Sequence, residues 1–276
     1  MSDTTEFKAT LTRYLKARIP FISIRSAERS RVLDLLREVV APLNAPVYVH
    51  TLSQGTRELV GGRSVNEDRS VTGAVDFASQ QFAQRQNLSC VLTEVSDIED
   101  DTASARHLLD VVMLAAEHSG VVVVITTKPV WGQLQRAGMA LTLSAPSEDE
   151  MQAIIRENLD AYRGHFPIEW DADDERRAAA ILAGISRIEA ENIIATLLAN
   201  GRITKADMVE LMHAKDRIFA DISGIERVSV RGTELSVGGL GGLKAWLDKE
   251  RPLLTADLRE RGIRPPRGVL LVGVPG

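Results

Sequence analysis

The chain has 276 residues, of which 44% are hydrophobic and 26% are charged, and its formal net charge at pH 7 is −5. This length suggests about two domains, and the composition is typical of a globular protein with a sizeable apolar core. No segment approaches the roughly 20 uninterrupted apolar residues that a membrane span needs, and the polar, acidic N-terminus does not resemble a secretory signal. The acidic composition and the few aromatic residues argue against a nucleic-acid-binding protein.

The cysteine and histidine content predicts neither a disulfide nor a metal site. Cys90 is the only cysteine, so no internal disulfide can form, and its apolar surroundings in the sequence indicate a small buried thiol. The five histidines show no spacing typical of metal ligands. This cysteine usage fits a reducing, cytoplasmic location.

The first 146 residues alternate between predicted helices and predicted strands. Helices are expected over 4–18, 28–40, 72–86 and 103–118, and strands over 21–24, 47–51, 88–95, 121–125 and 140–143. Ser26 is the expected N-cap of the second helix, and the Gly- and Ser-rich residues 53–70 are expected to form a mobile loop. The five β-branched residues Val121–Ile125 predict a central strand that is buried on both faces of a parallel sheet. Strands separated by helices indicate an α/β fold.

From Ser147 onward the pattern becomes helical. Helices are expected over 147–162, 173–183, 187–200 and 204–220, with a capping box formed by Ser147 and Glu150. Beyond them we expect an irregular segment, helices over 241–251 and 254–261, and an apolar strand over 268–272. The predicted domains are an α/β domain over 1–146, a helical, lid-like bundle over 147–220, a linker over 221–240, and the start of another domain over 241–276.

The last residues carry the strongest chemical signal in the chain. The predicted strand Gly268–Val272 is followed by Gly273, Val274, Pro275 and Gly276, which match the first half of a phosphate-binding loop. Glycines in such a loop let successive backbone N–H groups turn inward toward phosphate oxygens. A plain strand and turn would give the same four residues, so the assignment depends on the sequence upstream.

That upstream sequence resembles the entry to an AAA+ ATPase core. The resemblance is carried by two motifs, Gly238-Gly-Leu-Gly-Gly-Leu-Lys-Ala-Trp-Leu247 and Arg261-Gly-Ile-Arg-Pro-Pro-Arg-Gly-Val-Leu-Leu-Val-Gly-Val-Pro-Gly276. They are similar to those of an AAA+ family first described as a conserved open reading frame of algal plastid genomes and found in cyanobacteria and other bacteria. Weaker, pattern-level similarity extends over the whole chain, including Arg18-Ile-Pro-Phe-Ile-Ser-Ile, Ser144-Ala-Pro-Ser-Glu-Asp-Glu and Ile188-Glu-Ala-Glu-Asn192.

This resemblance implies ATP and Mg²⁺ as cofactors of the full-length protein. It places Val237, Gly238 and Gly239 near the adenine and Gly273–Gly276 at the phosphates. The Walker A lysine, the Walker B acids and the other catalytic residues would lie beyond Gly276, so the sequence would end within the Walker A motif and be inactive alone. It also implies a homo-oligomeric ring formed through the AAA+ core.

Residues 20–220 are themselves similar to an AAA module without a working nucleotide site. Where a phosphate loop would follow the first strand, Arg25–Arg31 contains neither glycine nor lysine, and residues with a Cβ atom rarely adopt the positive φ angles of such a loop. Glu28 would also repel phosphate, so we expect no ATP binding there. Glu94 and Thr126 follow later strands, where a Mg²⁺-binding acid and a polar sensor would lie. Without a phosphate loop, we expect Glu94 to be an acid in a solvated turn.

The arginines of this segment permit two interpretations. Arg25, Arg29 and Arg31 surround the start of a predicted helix, where they would attract phosphate or carboxylate. Alternatively, they form ion pairs with nearby acids on an exposed face, as surface arginines commonly do.

Three functions follow from these observations. The first is an ATPase in which the full-length protein hydrolyses ATP to remodel a protein partner. The second is a non-enzymatic interaction or regulatory module formed by residues 1–220. The third is a nucleic-acid-associated ATPase, which the acidic composition disfavours.

Overall fold

The computed structural model describes residues 4–43, 45–223 and 240–255. The chain divides into two units, residues 1–226 and residues 227–276. The first unit contains an α/β domain followed by a helical bundle. Within the described ranges, none of the helices combines the length and the apolar character that crossing a bilayer requires.

The α/β domain is built on a sheet that, among the described residues, has seven strands. They are β1 Phe21–Arg25, β2 Val47–Thr51, β3 Gly55–Glu58, β4 Ser64–Asn66, β5 Ser89–Leu92, β6 Val121–Thr126 and β7 Met139–Thr142. Their order across the sheet is β4-β3-β2-β5-β6-β1-β7. Five neighbouring strands are parallel, namely β2, β5, β6, β1 and β7, and β3 and β4 add an antiparallel hairpin beside β2. The carboxyl ends of the parallel strands therefore meet at one edge, where α/β proteins usually bind ligands.

Helices cover both faces of this sheet. They are α1 Thr4–Lys16, α2 Arg29–Val40, α3 Val71–Gln84, α4 Ala103–Glu117 and the short α5 Gly132–Arg136. Apolar residues of α1 and α2 pack against one face, and those of α3 and α4 pack against the other. Alternate residues of Val121–Ile125 enter the two cores, and all five are almost completely buried. The α/β fold with a central strand at this position is confirmed.

The helical bundle has an apolar core of its own. Its helices are α6 Glu148–Asp160, α7 Ala172–Leu182, α8 Arg187–Leu198 and α9 Asp207–Ser223. Trp170 is buried in this core, and its indole N–H donates to the Thr204 carbonyl at 2.8 Å. The capping box of Ser147 and Glu150 is present, as predicted, and similar boxes begin α7 and α8. The second unit contributes α10, Gly241–Thr255.

The expected loop over residues 53–70 is wrong, because this segment forms the β3–β4 hairpin. The hairpin extends the sheet beyond β2, and Gly55 begins it with a φ of +70° in a space that a Cβ atom could not share with the Asn66 carbonyl. The polar composition that indicated a loop is also typical of an edge strand, since polar residues discourage pairing with other chains.

Two further expectations are corrected at helix ends. Ser26 is not the N-cap of α2, because the helix begins at Arg29 and Glu28 precedes it. Ser26 instead accepts the Glu28 N–H at 3.1 Å, which forms a tight turn before the helix. The break expected between residues 251 and 254 is absent, since α10 continues to Thr255. The predicted strand Gly268–Val272 lies outside the described residues.

Candidate functional site at the carboxyl edge of the sheet

The turn between β1 and α2 lies at the carboxyl edge of the sheet. Ser26 extends the pairing of β1 with β6, because its N–H donates to the Thr126 carbonyl at 2.9 Å. The N-cap position of α2 is Glu28, whose side chain does not cap the helix. A strand followed by a turn and a helix is the setting in which phosphate loops bind phosphate. In this chain the turn has neither glycine nor lysine to do so.

Glu28 is the central residue of this turn, and its side chain is only 5% exposed. One carboxylate oxygen accepts the backbone N–H of Arg187, the first residue of α8, at 2.6 Å. The other oxygen accepts from Arg31 Nη1 at 2.8 Å. A buried carboxylate therefore connects the sheet domain to the start of a bundle helix.

Arg31 makes a second connection between the two domains. Its side chain is 12% exposed, and Nη1 also donates to the Ser144 carbonyl at 2.8 Å. Nη2 donates to Thr4 Oγ1 at 2.6 Å and to a Glu150 carboxylate oxygen at 3.1 Å. Burial would raise the pKa of Glu150, but hydrogen bonds from Thr4 and Ser147 and the charge of Arg31 hold it below its ordinary value. A single guanidinium thus joins α1, α2, the β7–α6 connection and α6.

Beside this turn is a cleft of 520 Å³ at the ends of β1, β5 and β6. Its lining is rich in hydroxyl and charged groups, contributed by Ser26, Ser30, Thr93, Glu94, Thr126 and Lys128. Glu94 forms an ion pair with Arg29 and accepts the Leu52 N–H at 3.1 Å. The Glu94 side chain is 33% exposed, so the expectation of an acid in a solvated turn is only partly met.

Thr126 lies at the end of β6, at the edge of the same cleft. Its hydroxyl accepts the Lys128 N–H and is also 3.1 Å from the Lys128 carbonyl oxygen. These contacts stabilise the local turn. In the part of the chain that the structure describes, no group of three or more metal-ligating side chains is positioned to hold a metal ion.

The arginines support the ion-pair interpretation. Arg29 pairs with Glu94, and Arg31 pairs with Glu28 and Glu150. The prediction that these ion pairs lie on an exposed face is wrong for Arg31, because this side chain is buried between the domains. Sequence reasoning treated Glu28 only as a group that repels phosphate and missed its contact with Arg187. The residues predicted to bind nucleotide, Val237, Gly238, Gly239 and Gly273–Gly276, lie outside the described residues.

The fold is that of P-loop-type nucleotide-binding proteins, although the turn after β1 does not fit a phosphate group. A phosphate at this turn would need N–H donors. Two donors contact the turn, the Arg187 N–H and the Arg31 guanidinium, and both already donate to Glu28. The parallel sheet, the helices on both faces and the bundle that follows are the elements of this fold.

Comparison with known proteins identifies the family. Residues 7–143 match the N-terminal domain of SpoVK-like AAA ATPases, and residues 149–221 match the second domain of the same ATPases. Together these matches cover most of the described residues, and the chain belongs to the AAA+ ATPases. Proteins of this class use ATP and Mg²⁺.

Two curated relatives, both called an uncharacterized AAA domain-containing protein ycf46, are similar along nearly the whole chain. The protein from Trieres chinensis is 22% identical over 274 residues, which cover 98% of this chain and 54% of the relative. The protein from Guillardia theta is 24% identical over 286 residues, which cover 100% of this chain and 53% of the relative. The chain therefore spans about half the length of the curated relatives it matches.

Solved structures share the fold at low sequence identity. Caenorhabditis elegans PCH-2 has a TM-score of 0.51 at 8% identity and covers 79% of this chain and 69% of its own. A chain of the Escherichia coli MS115-1 HORMA:CdnC:Trip13 complex also has a TM-score of 0.51, at 9% identity, and the match covers 75% of this chain and 86% of that chain. A mutant of RuvB from Thermotoga maritima has a TM-score of 0.50 at 15% identity, and the match covers 97% of this chain and 92% of the RuvB chain.

Proposed function

We propose that this chain is the N-terminal portion of an AAA+ ATPase and that residues 1–220 form a module that does not hydrolyse ATP. The observation that carries the proposal is Glu28, a buried carboxylate in the turn where a phosphate loop would place backbone N–H groups. A negative charge at this position repels the phosphates of ATP, and the turn supplies no lysine to offset it.

In this proposal the working ATP site is formed by the core that begins near residue 241. Val237, Gly238 and Gly239 contribute to the adenine pocket, and Gly273–Gly276 begin the phosphate loop. The loop lysine and the Mg²⁺-binding acids lie further along the full-length protein. The domains are those predicted from the sequence, with residues 1–146 and 147–220 forming the N-terminal module and residues 221–240 leading to the core.

The full-length protein is proposed to form a cytoplasmic ring and to couple ATP hydrolysis to the remodelling of a protein partner. PCH-2 and a chain of the HORMA:CdnC:Trip13 complex have a similar fold, and the second of these structures is a complex of HORMA, CdnC and Trip13. In such an assembly residues 1–220 serve to recruit or regulate, since their own nucleotide edge is altered.

The first test is the sequence of the natural open reading frame after Gly276. We expect Gly-Lys-Ser or Gly-Lys-Thr within a few positions, and the absence of a lysine there would overturn the assignment of the ATP site. The second test is calorimetric titration of ATP·Mg²⁺ into the 276-residue chain and into the full-length protein. Only the full-length protein should bind.

Steady-state hydrolysis by the full-length protein distinguishes the remaining alternatives. We expect activity that is lost when the loop lysine is replaced and that does not respond to DNA. Stimulation by DNA would favour a nucleic-acid-associated ATPase instead. Tight ATP binding by residues 1–276 would contradict the proposed role of the N-terminal module.

A further inference from the structure

The start of α8 has the features of an anion-binding site. In the capping box, the Ser186 hydroxyl accepts the Glu189 N–H, and the Glu189 carboxylate accepts the Ser186 N–H. The capping box does not use the Arg187 N–H, which lies at the positive end of the helix, where an anion is favoured by the helix dipole. The Arg31 guanidinium and the Arg187 N–H both donate to the carboxylate of Glu28.

Glu28 supplies that anion from within the chain. Its two carboxylate oxygens contact these two donors at 2.6 and 2.8 Å, which are distances typical of charge-assisted hydrogen bonds. The residue comes from the turn after β1, where a bound phosphate would lie in a module that binds nucleotide. The carboxylate is therefore an anion from the chain itself, which contacts two donors next to the turn where a phosphate loop would lie.

The groove next to these donors is acidic, which discourages a second anion. It has a volume of 530 Å³ and lies between α2, α6 and α8. Its acidic lining residues, besides Glu28, are Asp34, Glu38, Glu150, Glu157 and Glu191. Its two arginines, Arg31 and Arg187, are already in ion pairs with some of these acids.

We propose that Glu28 is a built-in substitute for an anionic ligand and that it holds the helical bundle against the sheet without nucleotide. The N-terminal module then keeps one arrangement of its two domains throughout any ATP cycle of the full-length protein. This inference extends the proposed function at the N-terminal module but does not depend on an ATP site downstream.

The first test measures the Arg187 amide in the unaltered chain by hydrogen exchange with NMR or mass spectrometry. The first N–H of an α-helix has no intrahelical acceptor, so it exchanges quickly unless something else protects it. We expect the Arg187 amide to exchange at least tenfold more slowly than the Glu148 amide, which begins α6 and has no acceptor within the described residues. Equal exchange rates would overturn the proposal.

The second test asks whether inorganic phosphate replaces the missing carboxylate in Glu28→Ala. Thermal midpoints are measured in phosphate and in chloride at equal ionic strength. We expect Glu28→Ala to have a lowered midpoint that rises by about 3–6 °C at ten times the Kd for phosphate, whereas the unaltered chain shows no phosphate-specific rise.

Glu150→Ala is the matched control, because it also removes an acid from Arg31 but leaves Glu28 on the Arg187 amide. Phosphate should not restore its midpoint. A rescue of equal size in both variants would show that phosphate binds the freed guanidinium alone, and no rescue in a folded Glu28→Ala chain would show that the carboxylate does not replace an anion. Either result would overturn the proposal. Both tests use the 276-residue chain without ATP, so a failed search for the downstream ATP site leaves them unaffected.

Discussion

Replacing Arg31 with Met should be one of the most destabilising single changes at the domain junction. The substitution keeps much of the apolar stem but removes the guanidinium that contacts Glu28, Thr4, Ser144 and Glu150. Glu28 would then be a buried carboxylate held by one backbone N–H. Because breaking a buried pair leaves an uncompensated charge, the expected loss is about 3–5 kcal/mol in the free energy of unfolding.

The same helix offers a matched control. Arg37 and Asp34 have the same three-residue spacing as Arg31 and Glu28, but their side chains are 50% and 67% exposed. Solvent screens such a pair, so Arg37→Met should change the free energy of unfolding by no more than about 0.5 kcal/mol. The two pairs differ in burial and in the further contacts of Arg31 with Ser144, Thr4 and Glu150, so the comparison measures these effects together.

The assay is urea unfolding followed by circular dichroism at 222 nm for the unaltered chain and both variants. The double variant Glu28→Gln/Arg31→Met should recover part of the loss, since it no longer buries an unpaired charge. Equal losses for Arg31→Met and Arg37→Met, or a loss below about 1 kcal/mol for Arg31→Met, would refute the reasoning.

Three other properties of the chain are also predicted. Burial lowers the pKa of His50 below its usual 6.5, so the unfolded chain binds more protons and stability should fall as the pH drops below about 6.5. The urea midpoint measured against pH should show this fall. His50→Leu should flatten the dependence, whereas replacement of the exposed His107 should not. Burial raises the pKa of the Cys90 thiol to about 12, so the native chain should react with iodoacetamide at pH 8 at least 100-fold more slowly than the denatured chain, and comparable rates would contradict this burial. Gly55→Ala and Gly62→Ala both place a side chain at positive φ, but only at Gly55 does the Cβ meet the backbone, so Gly55→Ala should lower the thermal midpoint more.

Local patterns predicted most of the fold. The five β-branched residues of Val121–Ile125 identified a strand that is covered on both faces, because such a run is typical of buried strands in parallel sheets. The capping box at Ser147 likewise marked the start of α6, since both of its hydrogen bonds lie within four residues. These features depend on neighbours in sequence and can be recognised there.

Features that depend on distant residues were not predicted. The β3–β4 hairpin has few apolar residues, and its strand character comes from pairing with β2. The contact of Glu28 with Arg187 joins residues 159 positions apart, and neither residue signals the other in the sequence. The ion-pair interpretation expected an exposed face for Arg31, because the burial of this side chain is created by the bundle, which a local pattern does not reveal.

The separation of Glu28 from Arg187 has a consequence for synthesis on the ribosome. The α/β domain is complete at residue 146, and at about 5–20 residues per second the 41 residues from there to Arg187 take about 2–8 s to translate. During that interval the α/β domain is complete, but one oxygen of the Glu28 carboxylate still lacks its donor, the Arg187 N–H. The newborn domain is therefore at its most vulnerable to proteases and misassociation before α8 leaves the exit tunnel, and a chaperone would be of most use in that period.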